Sequence, residues 1–356
     1  MYLTVYHRLL HTRPRFILLA VTIVALVACA PSPRLTVLQG QKMGTSFQVK
    51  IVSSHLSDQR TFELRLSVER VLDDVDRKMS TYRDDSEVSR FNKLRNDEPL
   101  LVSNETFEVF RHARSISEET KGAFDITVEP LVDAWGFGPG GAISRRSKRS
   151  LPTENEIDAI RSHLGWQLID LDEEEITLSK RNSSVKCDLS AIAKGYAVDR
   201  VADTLNDMGI DDYLVELGGE IRASGSNEEG VSWRVAVERP QSVTRQSHRL
   251  LPLRNLALAT SGNYRNFYEQ DGRRYSHTID PRTGRPVRDR LASVSVLDTL
   301  CVRADAYATA LMVLGEVEGF RFAVGNNLMA MFLIRDESGV LIEKTTPMFD
   351  EKFETR

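Results

Sequence analysis

Two short segments that lie far apart in the chain carry complementary chemistry, so a fold that uses both must bring them together. Residues 188–195 read Asp-Leu-Ser-Ala-Ile-Ala-Lys-Gly, and residues 303–310 read Arg-Ala-Asp-Ala-Tyr-Ala-Thr-Ala. On a helix, Asp305 and Thr309 stand on one face among small alanines. Such hard oxygen ligands favour Mg²⁺ over Zn²⁺, and Lys194 adds a point charge for a phosphate. The two segments therefore predict a site for a divalent metal and a phosphate.

The N-terminus predicts export and a lipid anchor. Residues 1–15 carry three arginines and no acidic side chain, and residues 16–28 form an apolar run that is short for a bilayer span. This pattern is typical of a signal peptide. The run ends in Leu-Val-Ala-Cys, which resembles the lipobox of bacterial lipoproteins. We expect Cys29 to be lipidated, with the rest of the chain on the extracytoplasmic side of a bacterial envelope; the alternative is ordinary secretory cleavage in which Cys29 has no role.

Charge and cysteine content narrow the functional class. The formal net charge of −4 becomes −7 once the three arginines of residues 1–28 are removed, so no nucleic-acid partner is expected. The two remaining cysteines, Cys187 and Cys301, are too few for a disulfide framework. They can pair only if the fold brings them together, and otherwise each is expected to be a small buried apolar residue.

The apolar pattern switches between helix and strand periods without a regular strand–helix–strand repeat, which favours an α+β fold. With 41% hydrophobic residues, the mature length suits a single domain of mixed sheets and helices or two intimately packed lobes. Helices are predicted at 62–79, after Ser103, after the capping-box sequence 153–156, at 190–208 and at about 303–325. Strands are predicted at 35–52 with a break at 43–45, and at 213–217, 231–238, 256–260, 274–279, 291–298 and 329–334. A Gly-rich and then basic stretch at 138–151 is expected to be a solvated loop.

Three further segments combine polar residues with glycines or strand ends. Residues 122–127 place an acid and a hydroxyl beside small residues, which suits either a loop over a polar ligand or a turn into a strand. His277 and Asp280 lie three apart; an imidazole can accept a proton from a hydroxyl nucleophile, although a lone histidine is more often structural. The glycine pair within residues 216–220 would let the backbone approach a ligand closely or form a bulged hairpin.

Taken together, eight segments in order resemble the ApbE family of FAD:protein FMN transferases. The segments are Lys42-Met43-Gly44-Thr45, Met79-Ser80-Thr81-Tyr82, Gly122 to Thr127, Asp188 to Gly195, Leu217-Gly218-Gly219-Glu220, Thr260-Ser261-Gly262-Asn263-Tyr264-Arg265, His277 to Pro281 and Ala304 to Ala310. The resemblance runs from about Met43 to Phe332, most of the mature chain. Flavin enters only through this resemblance, whereas export, a metal and a phosphate follow from the residues themselves.

The resemblance implies positions for the metal and for the general base. Mg²⁺ would be held by the main-chain carbonyl of Ala191 and by the side chains of Asp305 and Thr309, in agreement with the metal site predicted above. His277 matches the motif histidine and is the candidate general base. Asp280 would either orient His277 or cap the following turn. Asp305, His277 and Lys194 are thus the predicted catalytic residues.

The resemblance also implies positions for FAD contacts. They fall on Met43, Tyr82, Ala123, Phe124, Asp125, Asp188, Lys194 and Ile279. Tyr82 and Phe124 are either walls for flat rings or ordinary packing residues. Two departures from the family pattern concern none of these positions: Glu129 stands where a small residue is common, and residues 241–250 form a polar excursion.

The implied reaction is phosphoryl transfer rather than redox chemistry. A Ser or Thr hydroxyl of an acceptor protein attacks the FMN-side phosphorus of FAD, forms a phosphoester and releases AMP, with Mg²⁺ and Lys194 neutralising phosphate charge. Family acceptors carry a segment resembling Ser/Thr-Gly-Ala-Ser/Thr. This chain contains none, the nearest being residues 140–144, so we expect modification in trans of exported subunits of membrane redox complexes.

Two alternatives remain open at this level. Water could replace the acceptor hydroxyl, which would make a Mg²⁺-dependent FAD pyrophosphatase that yields FMN and AMP. More remotely, the protein would be a flavin-binding lipoprotein without catalysis. The expected organisation is a signal peptide at 1–28, a lipidated N-terminus and short tether at 29–36, a transferase domain at 37–345 and a C-terminal tail at 346–356.

Overall fold

The computed structural model describes residues 33–138, 151–240, 246–264, 266–288 and 290–353. Several predictions lie outside these residues: the signal peptide at 1–28, lipidation at Cys29, the first half of the tether at 29–36, most of the basic loop at 138–151, part of the polar excursion at 241–250 and the last residues of the expected tail.

A sheet of eight antiparallel strands forms the centre of the described chain, in the order β1-β2-β6-β7-β10-β15-β16-β17. The strands of the protein are β1 (Arg34–Lys42), β2 (Thr45–Ser53), β3 (Leu100–Leu101), β4 (Ile169–Asp172), β5 (Thr177–Lys180), β6 (Tyr213–Leu217), β7 (Glu220–Ser224), β8 (Trp233–Glu238), β9 (Ser247–Leu253), β10 (Leu256–Gly262), β11 (Phe267–Gln270), β12 (Arg273–Ser276), β13 (Ile279–Asp280), β14 (Arg285–Pro286), β15 (Leu291–Asp298), β16 (Met329–Arg335) and β17 (Leu341–Thr345). The strands outside the central sheet form a three-stranded sheet, β3-β5-β4, and three two-stranded sheets.

The α-helices of the described chain are α1 (Asp58–Met79), α2 (Glu87–Asn92), α3 (Asn104–Glu119), α4 (Glu129–Ala134), α5 (Glu154–Arg161), α6 (Ala193–Asp207), α7 (Cys301–Gly325) and α8 (Pro347–Phe353). Four of them, α1, α2, α3 and α5, begin after a Ser or Thr whose side chain accepts a hydrogen bond from the first turn, whereas α4, α6 and α7 have no side-chain cap. Ser103 caps α3 through the N–H of Thr106, and Thr153 forms the predicted capping box with Glu156. The mixture of helices with a largely antiparallel sheet confirms the α+β class.

The central sheet buries a different core on each face. In β6, Tyr213, Val215 and Leu217 face the main core beneath the helices, whereas Leu214 faces a second core under the β8–β9 hairpin. This alternation follows from the period of two in a strand. The C-terminal helix α8 also belongs to the second core, because Phe349 is fully buried there. The residues expected to be a tail therefore include a packed helix.

Close packing of α6 on α7 brings the two chemically active segments together. A Cβ on Gly195 would lie 2.5 Å from the carbonyl oxygen of Cys301, so only glycine permits this approach. Asp199 of α6 accepts hydrogen bonds from the N–H groups of Cys301 and Val302 at 3.0 and 2.9 Å. This carboxylate caps the first turn of α7 from the neighbouring helix.

Some predicted element boundaries were wrong for identifiable reasons. The helix expected at 190–208 begins only at Ala193, because Asp188 accepts the Ser190 N–H in a preceding turn. The strand expected at 274–279 is broken at His277, whose N–H donates to the Asn266 carbonyl. Residues 122–127 lead into a short 3₁₀ helix at Ile126–Val128 rather than a strand. Gly315, with φ of 78°, interrupts α7.

Cys187 and Cys301 are both free and buried, which confirms the expectation of small core residues. Burial raises the pKa of each thiol well above its ordinary value. Among the helices of the described ranges, none combines the length and the apolar character needed to cross a membrane.

Candidate active site

A large cleft with a volume of about 1210 Å³ collects most of the predicted site residues. The residues among them that line it are Tyr82, Ala123, Phe124, Asp125, Asp188, Ala191, Lys194, His277, Ile279, Asp305 and Thr309. Met43 does not line the cleft. It occupies the β1–β2 turn with φ of 51° and packs against the main core, while its neighbours Gln41 and Thr45 line the cleft.

The predicted metal ligands lie where α6, α7 and β10 meet. Asp305 is buried, and its Oδ2 accepts a hydrogen bond from the Gly195 N–H at 3.0 Å. One helical turn later, the hydroxyl of Thr309 lies 2.9 Å from that of Ser261 at the end of β10. Burial raises the pKa of Asp305, although the charge of Lys194 and the Gly195 N–H act in the opposite direction. A cation beside this carboxylate would favour its ionised form.

The donor atoms fit Mg²⁺. The Asp305 carboxylate, the Thr309 hydroxyl and the Ala191 carbonyl are hard oxygens, and all three residues line the same cleft. Glu220, which also lines it, has a buried Oε2 that finds no hydrogen-bond partner among the described residues. Within the described ranges, no group of three or more His, Cys, Asp or Glu side chains could hold a metal ion. A metal here would therefore depend on hydroxyl and main-chain oxygens as well as on carboxylate.

Lys194 forms a close ion pair with Glu220, which begins β7. Burial alone would lower the pKa of Lys194, but the negative charges of Glu220 and Asp305 outweigh it and the pKa is raised. Burial raises the pKa of Glu220 to about 7 against the opposing charge of Lys194. Lys194 thus stays charged, and because an ammonium has three donors, pairing with Glu220 leaves donors for a phosphate.

His277 is held as a neutral base. Its Nδ1 lies 3.0 Å from the carbonyl oxygen of Asn266. Since a carbonyl only accepts, Nδ1 carries the proton and Nε2 keeps its lone pair. Burial lowers the pKa of His277; the Asn266 carbonyl opposes this, and the charge of Lys194 adds to it. The Phe137 ring and the imidazole form a T-shaped contact, with a centroid distance of 6.3 Å and an interplanar angle of 67°.

Asp280 caps the turn after His277, as the second of its two predicted roles required. Its carboxylate accepts hydrogen bonds from the Arg282 backbone N–H at 2.9 Å and from the Arg282 guanidinium at 3.0 and 3.1 Å. The Asp280 carbonyl accepts from the Gly284 N–H. Through these hydrogen bonds Asp280 stabilises the turn.

The residues expected to contact FAD differ in exposure. Tyr82 is 73% exposed at the cleft, so its ring is free to contact a ligand. Phe124 is buried in the main core, which agrees with a packing role for its side chain. Asp125 is buried and accepts hydrogen bonds from the N–H and hydroxyl of Thr127 and from the Trp166 N–H. Burial raises the pKa of Asp125 despite these bonds.

Sequence reasoning assigned no role to Glu220, Ser261 or Asn266. Glu220 and Ser261 lay within quoted motif segments, beside a glycine pair and before a glycine, which was the available signal. Asn266 acts through its backbone carbonyl, and any residue type would supply that group. The sequence therefore carried no signal for it.

Comparison with known proteins agrees with this geometry. Residues 43–332 match the sequence model of the ApbE family. A Vibrio cholerae protein named FAD:protein FMN transferase is 42% identical over 319 residues, which cover 89% of this chain and 93% of the relative. The solved structure of flavin transferase ApbE from Vibrio cholerae superposes with a TM-score of 0.80 at 41% identity, covering 90% of this chain and 100% of the other. The apo form of the Pseudomonas stutzeri flavinyl transferase ApbE gives 0.80 at 38% identity, with 91% and 98% coverage. The chain belongs to the ApbE family.

Proposed function

We propose that this protein is a Mg²⁺-dependent FAD:protein FMN transferase that attaches FMN through a phosphoester bond to a Ser or Thr of exported acceptor proteins and releases AMP. The observation that carries the proposal is the convergence of Asp305, Thr309, Lys194 and His277 in one cleft. The curated names of the relatives support the same activity. A flavin carrier would need neither a lysine paired with a buried glutamate nor a neutral histidine in the same cleft.

Lys194 and His277 have different roles in the proposed reaction. Lys194 stays protonated and places a positive charge beside the FAD pyrophosphate. Nε2 of His277 takes the proton from the acceptor hydroxyl as it attacks the FMN-side phosphorus. The bond from that phosphorus to the AMP phosphate breaks, and AMP leaves with the bridging oxygen.

The acidic and hydroxyl groups fix the geometry. Gly195 and Ser261 hold Asp305 and Thr309 in place by hydrogen bonds. When bound there, Mg²⁺ would offset the charge that accumulates on the two phosphates. Tyr82 offers an exposed ring at the mouth of the cleft against which the flat parts of FAD can pack.

We further propose that the mature protein is lipid-anchored at Cys29 and works on the extracytoplasmic side of the envelope. The signal sequence and the lipobox-like segment support this location. Acceptors would be exported proteins with a Ser/Thr-Gly-Ala-Ser/Thr-like segment, such as subunits of membrane redox complexes. Tethering both partners at one membrane would raise their effective concentration.

The decisive experiment uses a soluble form of the protein, residues 30–356, with FAD and Mg²⁺, with and without an exported protein that carries a Ser/Thr-Gly-Ala-Thr segment. We expect the acceptor mass to increase by one FMN in step with AMP release. Equal AMP release without acceptor, and no mass gain, would instead identify a pyrophosphatase. Absence of AMP under every condition would contradict both enzymatic functions.

A further inference from the structure

The predicted FAD contacts use only part of the cleft, whose volume is about 1210 Å³. Residues of β2, β6 and β10 of the sheet and of β8 also line it, and none of them is a predicted FAD or metal contact. This part of the cleft is called here the hairpin groove.

The floor of the hairpin groove is the sheet face opposite the main core. Val49 and Val215 point into the main core, so the alternating neighbours Gln48, Lys50 and Glu216 point into the groove. At the end of β10, the consecutive residues Thr260 and Ser261 both line the cleft, although their side chains leave opposite faces of the sheet. Ser261 contacts Thr309 on the main-core face, so the cleft connects the groove to the proposed metal site around this end of the strand.

The wall of the groove is the edge of strand β8. Five consecutive residues, 234–238, line the cleft. Because side chains alternate along a strand, with Val235 and Val237 pointing into the second core, consecutive residues can line one cavity only if the strand presents its backbone edge. Within the described residues β8 pairs with β9 alone. The edge of residues 234–237 that faces away from β9 therefore directs N–H and C=O groups into the groove.

We propose that the hairpin groove binds the acceptor polypeptide as an extended strand paired with β8, which delivers its Ser or Thr hydroxyl to the catalytic end. This inference rests on the proposed transferase function and names where its second substrate binds. A polypeptide suits the groove because an open strand edge is matched by another backbone, with alternate side chains reaching the polar floor. The same edge would otherwise be a liability that proteins usually cover.

The first test places the change in the acceptor, so the fold of the enzyme is untouched. Synthetic peptides of the Ser/Thr-Gly-Ala-Thr segment, each with one backbone amide N-methylated, are assayed for FMN transfer with FAD and Mg²⁺. Strand pairing predicts that kcat/KM falls at least tenfold for every second amide and little for the others. Loss without a period of two, or no loss at any amide, would overturn the proposal.

The second test uses a matched pair of cysteines. Ala236 lines the groove and Leu250 lies directly opposite it on β9, 61% exposed and outside the cleft lining. In the chain from Ala30, Cys187 and Cys301 are buried. A peptide whose single cysteine is activated as a pyridyl disulfide should exchange with the thiol of Ala236→Cys, forming a mixed disulfide and releasing pyridinethione, at least tenfold faster than with Leu250→Cys, and unmodified peptide should compete. Equal rates at the two cysteines would exclude the groove as the binding site of the peptide.

The two tests separate failure of the docking site from failure of the function. FMN transfer to the unmodified acceptor establishes the function, whatever the methylation pattern. If transfer never occurs, the proposed function fails, and selective crosslinking at Ala236→Cys alone decides whether the groove binds a polypeptide.

Discussion

The backbone N–H of Gly195 donates a hydrogen bond to Oδ2 of Asp305 over 3.0 Å, and this bond joins α6 to α7 inside the cleft. The contact exists because position 195 has no side chain: a Cβ there would lie 2.8 Å from Cβ of Asp305 and 2.5 Å from the Cys301 carbonyl oxygen. The glycine therefore sets the distance between the lysine-bearing segment and the proposed metal ligand.

Gly195→Ala should separate the two helices and misplace Asp305. We expect a loss of about 1–3 kcal/mol in unfolding free energy, typical of overpacking, together with at least a tenfold loss of FMN transfer. Denaturant unfolding and the transfer assay measure the two effects. Gly325→Ala at the end of α7 is the control, because nothing lies within 4 Å of its added Cβ. Equal effects of the two substitutions would refute this role for Gly195.

Asp305→Asn keeps the shape of the side chain but removes the charge that a cation needs. We expect roughly a hundredfold slower AMP release, with the largest loss at limiting Mg²⁺. Calorimetric titration with Mg²⁺ should show weakened binding in the same variant. Glu318→Gln, an exposed carboxylate on the same helix, should change neither quantity. AMP release by the variant at nearly the wild-type rate under limiting Mg²⁺ would show that Asp305 is not a metal ligand.

His277→Gln tests the general base. Because the pKa of His277 is lowered by burial, the neutral base is already present near pH 7, and the transfer rate should fall only as pH drops through that lowered pKa. The substitution should cost about 10²–10⁴-fold in rate and abolish this acid limb. A pH–rate profile of FMN transfer measures both, with the exposed His55→Gln as control. An unchanged acid limb would assign the titration to another group.

Tyr82→Ser tests the exposed wall of the FAD arm. The side chain is 73% exposed without ligand, so its removal should leave thermal stability unchanged. Loss of ring contact should weaken FAD binding by about 0.5–1.5 kcal/mol, or roughly two- to tenfold. Fluorescence titration of FAD gives the Kd. Phe62→Ser, which removes another exposed ring outside the cleft, should have no effect on Kd.

The fold could be predicted where local periodicity decides it. Leu64, Val68, Leu72 and Val75 recur at helical spacing, and all four are buried in α1. The packed helix α8 was missed because the segment is short and Phe349 is its one fully buried residue, in a core formed by the central sheet and the β8–β9 hairpin. No local pattern reports such a long-range contact.

The site could be predicted only in part for the same reason. Asp305 and Thr309 are neighbours on one helix, so spacing alone placed them on a common face. The Lys194–Glu220 pair joins a helix to a strand, and the Nδ1 contact of His277 is to a backbone carbonyl. Neither pairing leaves a spacing signal in the sequence.

Lys194→Met tests the buried pair through the pH dependence of stability. Without Lys194, burial of Glu220 is no longer opposed, so its pKa should rise further above the value of about 7 that it has in the folded protein. At pH 5 Glu220 is protonated in the variant, so its burial lowers the free energy of unfolding only slightly. At pH 8 it must either ionise unpaired or hold a proton that the unfolded chain releases, so stability falls as pH rises. We expect the unfolding free energy of the variant to fall below that of the wild type by nearly zero at pH 5 and by about 3 kcal/mol at pH 8. The second value is at the lower end for broken buried pairs, because the Lys194 side chain is 31% exposed.

Unfolding of Lys194→Met measured without Mg²⁺ at both pH values tests this prediction. Lys42→Met, which breaks the exposed pair with Asp73, should show a small deficit that does not grow over the same range. A pH-independent deficit in Lys194→Met would mean that the lysine stem, rather than its charge on Glu220, stabilises the cleft.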